Sequence, residues 1–302
     1  MKTGKKQHTI PRFYLNQFIH PGWVYLRGSR EPKRVQSAKS QAVQEFYYSQ
    51  DTDEQNNSLD SLNTSIESET APILRKLLTT KVSLTDTDKL LFSYFIANLA
   101  LRVPKIIREM GESTLEALEQ VDSMAKKITQ KLYKMEIEEN QPFIKVVTKE
   151  SGSYQYTKKE WKDFLKLLHQ QDEDGKAMME TTMSLFIDLA SIIANMGWVI
   201  IDASDGAFFI TSDSPVYLTD IDGSRIGAGW ENANAVGSLP LSPRRYLGLH
   251  YGLPPDTLGY KRVSTEEVET LNKRTIASAS CAIFSPERYP PAETWLLNKK
   301  VN

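Results

Sequence analysis

Gly197-Trp198-Val199-Ile200-Ile201-Asp202, then Phe208-Phe209-Ile210-Thr211-Ser212-Asp213-Ser214-Pro215-Val216, is the stretch that decides the fold. Each half is rich in β-branched and aromatic residues and is bounded by glycine or turn residues, the pattern of a strand. The link between them, Asp202-Ala203-Ser204-Asp205-Gly206, is short and polar, as a turn requires. The second strand is expected over Phe208 to Thr211. It leaves through Thr-Ser-Asp-Ser-Pro, which puts hydroxyls and a carboxylate where side chains quit the core and face a cleft.

More strands follow on the C-terminal side. Val216 to Leu218, Tyr246 to Tyr251 and Ala282 to Ser285 fit short strands, and Ser264-Thr265-Glu266-Glu267 caps a helix carrying Val268, Leu271 and Ile276. Upstream the period changes. Leu59, Leu62, Ile66, Ile73, Leu74 and Leu77 recur at helical spacing, with Pro72 expected to break or kink the helix. Thr85-Asp86 opens a helix through Leu90, Phe92, Phe95, Ile96 and Leu99, which is apolar nearly all round and is expected to be buried. Further helices are expected over 115–135, from Thr157 and over 176–195, with a hairpin inside 142–156.

At the N-terminal side a Pro-started helix follows Pro11, and Trp23 to Leu26 and Arg34 to Gln36 suit short strands. The expectation is a single α+β domain over 1–302. It has an N-terminal strand-containing segment (7–58), a largely helical middle (59–196) and a C-terminal antiparallel sheet (197–285).

The 302 residues carry 37 Lys and Arg against 38 Asp and Glu, so there is no global attraction to nucleic acid or to an anionic membrane. The single cysteine, Cys281, excludes a disulfide framework and a Cys-rich metal site. No stretch reaches the roughly 20 apolar residues of a membrane span. A cytoplasmic protein is expected.

Three pieces in order resemble a mainly bacterial family known as domain of unknown function 4238. They are His8-Thr-Ile-Pro11-Arg-Phe-Tyr14-Leu15-Asn-Gln-Phe18, then Phe95-Ile96-Ala97 with Arg102-Val103-Pro104, then Thr211-Ser212-Asp213-Ser214-Pro215. Pro240-Leu241-Ser242-Pro243 and Asn272 are similar as well. The resemblance implies one structural unit and carries no activity with it.

Candidate chemistry rests on individual residues. His8 is expected just before the first helix, where the dipole would keep its imidazole neutral, as a general base or metal ligand needs. Otherwise it pins the N-terminal arm to a backbone carbonyl. Asp213 at the strand exit suits a metal ligand or a base, or equally an Asx-turn. Ser212 lacks the glycine-flanked elbow of a nucleophile and is a substrate contact at most. Arg102 closes the most apolar helix and needs an anion, either Glu67 as a structural partner or a ligand phosphate. Tyr14 is a further substrate-binding candidate.

These residues suggest a hydrolase acting on a phosphodiester or nucleotide, nuclease-like, with His8, Asp213 and Glu67 catalytic; the sequence leaves the cofactor open, a divalent metal being compatible with these ligands. The alternative is a non-catalytic nucleic-acid or nucleotide binding module. It would use Arg102 and N-terminal aromatics such as Trp23 and Tyr25. A toxin-type or phage-defence effector role is compatible with either.

Overall fold

The apolar run at 197–203 forms the strand on which a five-stranded sheet is built. In the computed structural model the described residues are 6–41, 43–45, 58–80, 82–101, 142–148, 152–157, 186–223, 226, 229–230 and 232–297. The chain falls into two compact units. One comprises 1–106 with 183–302, the other 107–182. The described part of the second is an antiparallel hairpin, Pro142–Thr148 with Gly152–Thr157, where the sequence predicts one.

In the first unit the strands, numbered along the whole chain, are β1 (Lys6–His8), β2 (Gly22–Leu26), β3 (Lys33–Val35) and β4 (Val43–Glu45). The hairpin of the second unit supplies β5 and β6. Then come β7 (Gly197–Ala203), β8 (Thr211–Ser212), β9 (Tyr217–Asp220), β10 (Ala235–Ser242), β11 (Arg245–His250), β12 (Leu258–Val263) and β13 (Ala282–Ser285). The helices are α1 (Arg12–Leu15), α2 (Ser58–Leu77), α3 (Asp86–Leu101), α4 (186–194), α5 (Thr265–Ser278) and α6 (Pro290–Leu297). Among the described residues no helix is long and apolar enough to cross a membrane.

Two sheets carry this unit. The larger has the order β12-β7-β11-β10-β9, the smaller β3-β2-β13-β8. The fold is α+β. The larger sheet is antiparallel except where β12 runs parallel to β7. That parallel pair follows from the β11-to-β12 connection, which returns the chain along the far side of β7.

The two halves of the deciding stretch do not pair with each other. β7 lies in the larger sheet and β8 in the smaller, so the segment between them crosses from one sheet to the other. The expected strand over Phe208 to Thr211 is displaced to Thr211–Ser212, because Phe208 to Ile210 find other partners. Phe209 N–H donates to the Pro243 carbonyl at 2.8 Å. Ile210 N–H donates to Asn272 Oδ1 at 3.1 Å, and Asn272 Nδ2 donates to the Phe208 carbonyl at 2.9 Å. One side-chain amide thus does the work of a neighbouring strand, satisfying backbone groups that burial would otherwise leave costly.

The main core lies between the sheets and α1, α2, α3 and α4. It joins Val24 and Phe284 of the small sheet to Trp198, Ile200, Leu239 and Leu247 of the large one. α3 fills it with the unbroken buried run Phe95 to Leu99, and Phe92 meets the Trp198 ring edge-on at 6.0 Å. A helix buried on several sides has no polar face to spare. α6 covers the outer face of the small sheet with Ala292, Trp295 and Leu296 over Tyr25 and Ile283. Val268 on α5 packs with Phe209, Tyr246 and Val263 in a third cluster.

Local signals set the helix ends. Ser264 and Glu267 form a reciprocal capping box at α5, and Thr85 and Asp88 do the same at α3. α2 is continuous through Pro72, where a break or kink is expected; the ring removes one N–H, and the helix does not break there but extends to Leu77.

Candidate functional site

The strand-exit corner is where the conspicuous residues gather, and each is bound into the fold. The Tyr14 hydroxyl is fully buried. It lies 2.7 Å from Thr211 Oγ1 and donates to the Pro240 carbonyl at 2.7 Å. The N-terminal motif, the Thr-Ser-Asp-Ser-Pro exit and the Pro-Leu-Ser-Pro stretch therefore meet at one phenol. Burial holds that phenol well above the usual tyrosine range, against a smaller lowering by the Thr211 hydrogen bond. It is a neutral donor at any physiological pH.

Asp213 is 6 % exposed. Its Oδ1 accepts from Ser280 N–H at 2.9 Å and its Oδ2 from Cys281 N–H at 2.6 Å, while its own N–H donates to the Ala282 carbonyl at 2.9 Å. Burial raises its carboxyl pKa, and the amides of Ser280, Cys281 and Ala282 oppose that rise. Ser212 is fully buried, and its Oγ accepts from Ser214 N–H at 3.2 Å. Ser278 Oγ donates to the Ser214 carbonyl at 3.4 Å. The exit is thus tied through Asp213 and Ser214 to the turn between α5 and β13.

A second buried hydroxyl group adjoins it. The Tyr217 and Tyr246 hydroxyls hydrogen-bond each other, and Tyr217 also reaches the Leu271 carbonyl at 3.3 Å. Burial raises both phenols.

The other expected site residues lie elsewhere. His8 ends β1, paired with Val43, and is not at a helix start. α1 has a single turn behind Pro11, too short to supply much of a dipole. Glu67 is half-buried on α2. Arg102 lies outside the described residues, and so does the expected choice between Glu67 and a phosphate as its anion. Among the described residues no three His, Cys, Asp or Glu side chains gather closely enough to hold a metal ion.

Among the described residues the buried arginine is Arg245. Nε and Nη2 clasp Asp202 at 2.6 and 3.0 Å, directly across the β7–β11 ladder, while Nη1 donates to the carbonyls of Leu77 and Thr79. It satisfies the C-terminal carbonyls of α2 and ties that helix to the sheet. Its neighbour Arg244 wraps the 203–207 turn, donating to the carbonyls of Ala203, Ser204 and Ala207 at 3.0, 2.9 and 2.6 Å. The tandem at 244–245 was the signal in the sequence, since two adjacent arginines entering an apolar strand must both find acceptors.

A different kind of surface lies on the small sheet. The first 41 residues hold nine of the 37 Lys and Arg but one of the 38 Asp and Glu, Glu31. The near-neutral total hides this segregation. Arg27, Arg30, Lys33 and Arg34 are all exposed on the β2–β3 hairpin, with Arg12 and Lys39 exposed nearby in sequence. Gly28, at φ +82°, takes the left-handed conformation that its turn needs. Arg34 stands opposite Trp23 in the ladder and Lys33 opposite Val24. Among the described residues Arg30, Lys33 and Arg34 have no carboxylate partner, whereas Lys76, Arg244, Arg245, Lys261, Arg262 and Arg288 all do.

The family model described as "Protein of unknown function (DUF4238)" matches residues 6–288, nearly the whole chain. No curated protein and no solved structure matches it.

Proposed function

The chain belongs to the DUF4238 family, whose description supplies no activity, and we propose that this member is a non-catalytic nucleic-acid-binding module. The observation that carries this reading is the segregation of positive charge onto the exposed β2–β3 hairpin. Arg30, Lys33 and Arg34 stand there with no carboxylate partner among the described residues, as binding to a phosphate backbone favours. The hydrolase reading uses Asp213 as a metal ligand or base. That carboxylate is buried and accepts a backbone N–H on each oxygen, which supports a turn-anchoring role instead.

The test is fluorescence anisotropy of the full chain with labelled nucleic acid across a salt series. Substituting Arg30→Gln, Lys33→Gln and Arg34→Gln together is expected to weaken binding by about tenfold or more. On a single-stranded probe it should flatten the log–log salt slope by about 2, three contacts at roughly 0.7 each. A triple variant that binds as well as the wild type, or a wild type that binds nothing at low salt, overturns the proposal.

A further inference from the structure

We infer that the hairpin takes single-stranded nucleic acid, with Trp23 as the platform on which an unpaired base stacks; this rests on the binding proposal above. Partners in an antiparallel ladder share a face, so Trp23 and Arg34 stand side by side on the same surface of the small sheet. The Arg288 guanidinium lies over the Trp23 ring, 5.9 Å from its centroid. Its Nε and Nη2 are held by Glu293 at 2.5 and 3.3 Å, so it walls the indole on one side and leaves the phosphate to Arg34. A half-buried indole beside the exposed Arg34 guanidinium joins a stacking surface to backbone charge, the pairing that single-strand grooves use.

The rest of that face is closed to a ligand. Tyr25, next on the same side of β2, is fully buried under α6, and its hydroxyl accepts from Tyr289 N–H at 2.6 Å. Arg27, just beyond the end of β2, sits 4.6 Å from the Trp295 ring centroid and adds a cation at the far end. Trp23 is therefore the aromatic of this strand left within reach of a base. Duplex DNA fits less well. A two-stranded ribbon can enter a major groove only when both its edges are free, and β2 is held between β3 and β13. Bases paired and stacked in a duplex also offer no face to Trp23.

The experiment compares a mixed-sequence single strand with the matching duplex, at equal salt, on the full chain. The single strand is expected to bind about tenfold tighter. Trp23→Leu should remove most of that preference, read as the ratio of the two affinities, and Trp23→Tyr, which keeps an aromatic face, should hold single-strand affinity to within about threefold. Melting curves confirm that each variant is folded. If Trp23→Leu does not fold, the wild-type preference and the Trp23→Tyr result decide. Equal affinity for both probes, or a folded Trp23→Leu that keeps its single-strand affinity, overturns this inference and leaves the binding proposal standing. Binding to neither probe, including the case in which only anionic vesicles are bound, overturns both.

Discussion

The strand-exit corner and the β2–β3 hairpin are both rich in polar side chains, and they use them in opposite ways. At the corner, Tyr14, Thr211, Ser212, Asp213 and Asn272 are buried, and each is matched to a backbone group or to another hydroxyl. On the hairpin, Arg30, Lys33 and Arg34 are exposed and have no carboxylate partner among the described residues. The contrast teaches that the residues by which the family is recognised here are those that assemble the fold. A surface open to a ligand has to be sought where charge is left unmatched.

The largest expected effect falls at the corner. Asp213→Ala removes the buried carboxylate that accepts from the part-buried amides of Ser280 and Cys281 and should destabilise the protein by about 3 kcal/mol, read from urea unfolding. The carboxyl pKa of Asp213 is raised by burial, so the folded state binds its proton more tightly than the unfolded chain does. Its contribution to stability is then greatest below the ordinary aspartate pKa, roughly 4, and declines as pH rises through the raised folded value. Through this window the stability of the wild type should fall with rising pH relative to that of Asp213→Asn, which lacks the titration. A wild-type stability that instead climbs through that window because of Asp213 would mean that the amides outweigh the burial.

A smaller loss is expected from Tyr14→Phe. Removing the hydroxyl leaves Thr211 Oγ1 and the Pro240 carbonyl without this partner, at a cost of about 1–2 kcal/mol in the same assay. The smallest effect belongs to the hairpin. The Arg30→Gln, Lys33→Gln, Arg34→Gln triple should leave stability within about 0.5 kcal/mol of wild type, since exposed charges without partners hold little of the fold together. A melting temperature that falls steeply in this variant would erase the contrast between the two regions.

Much of the architecture was legible in the sequence. β7, the caps at Ser264 and Thr85, the buried α3 and the 142–157 hairpin all announce themselves through period and end signals that act over a few residues. The crossing from β7 to β8 was not legible. Phe208-Phe209-Ile210 reads as a strand in any local window, and what replaces its strand partner is Asn272, some sixty residues away. The same holds for the candidate site. Asp213 and Ser212 have the right chemistry for a cleft, and no local pattern shows that the 278–282 turn fills it. His8 fell in a strand because its partner is Val43, again beyond local reach. Arg245 carries no local mark of its burial, because that burial depends on acceptors as distant as Leu77 and Thr79. Charge segregation needed no structure at all, only a count taken by segment rather than over the whole chain.

The place of β13 has a consequence for how the molecule comes to be. This strand sits between β2 and β8, and the Tyr25 hydroxyl is met by the amide of Tyr289, 264 residues further on. During synthesis β2 and β3 emerge long before the strand that completes their sheet. Pairing so distant closes a very long loop and belongs to the slow, late part of folding. Until then the inner edge of β2 has unpaired N–H and C=O groups, an invitation to other chains that exposed lysines and arginines help to refuse. Exposed cations on β2–β3 mark the kind of edge that resists pairing with another chain, whatever else they do in the finished fold.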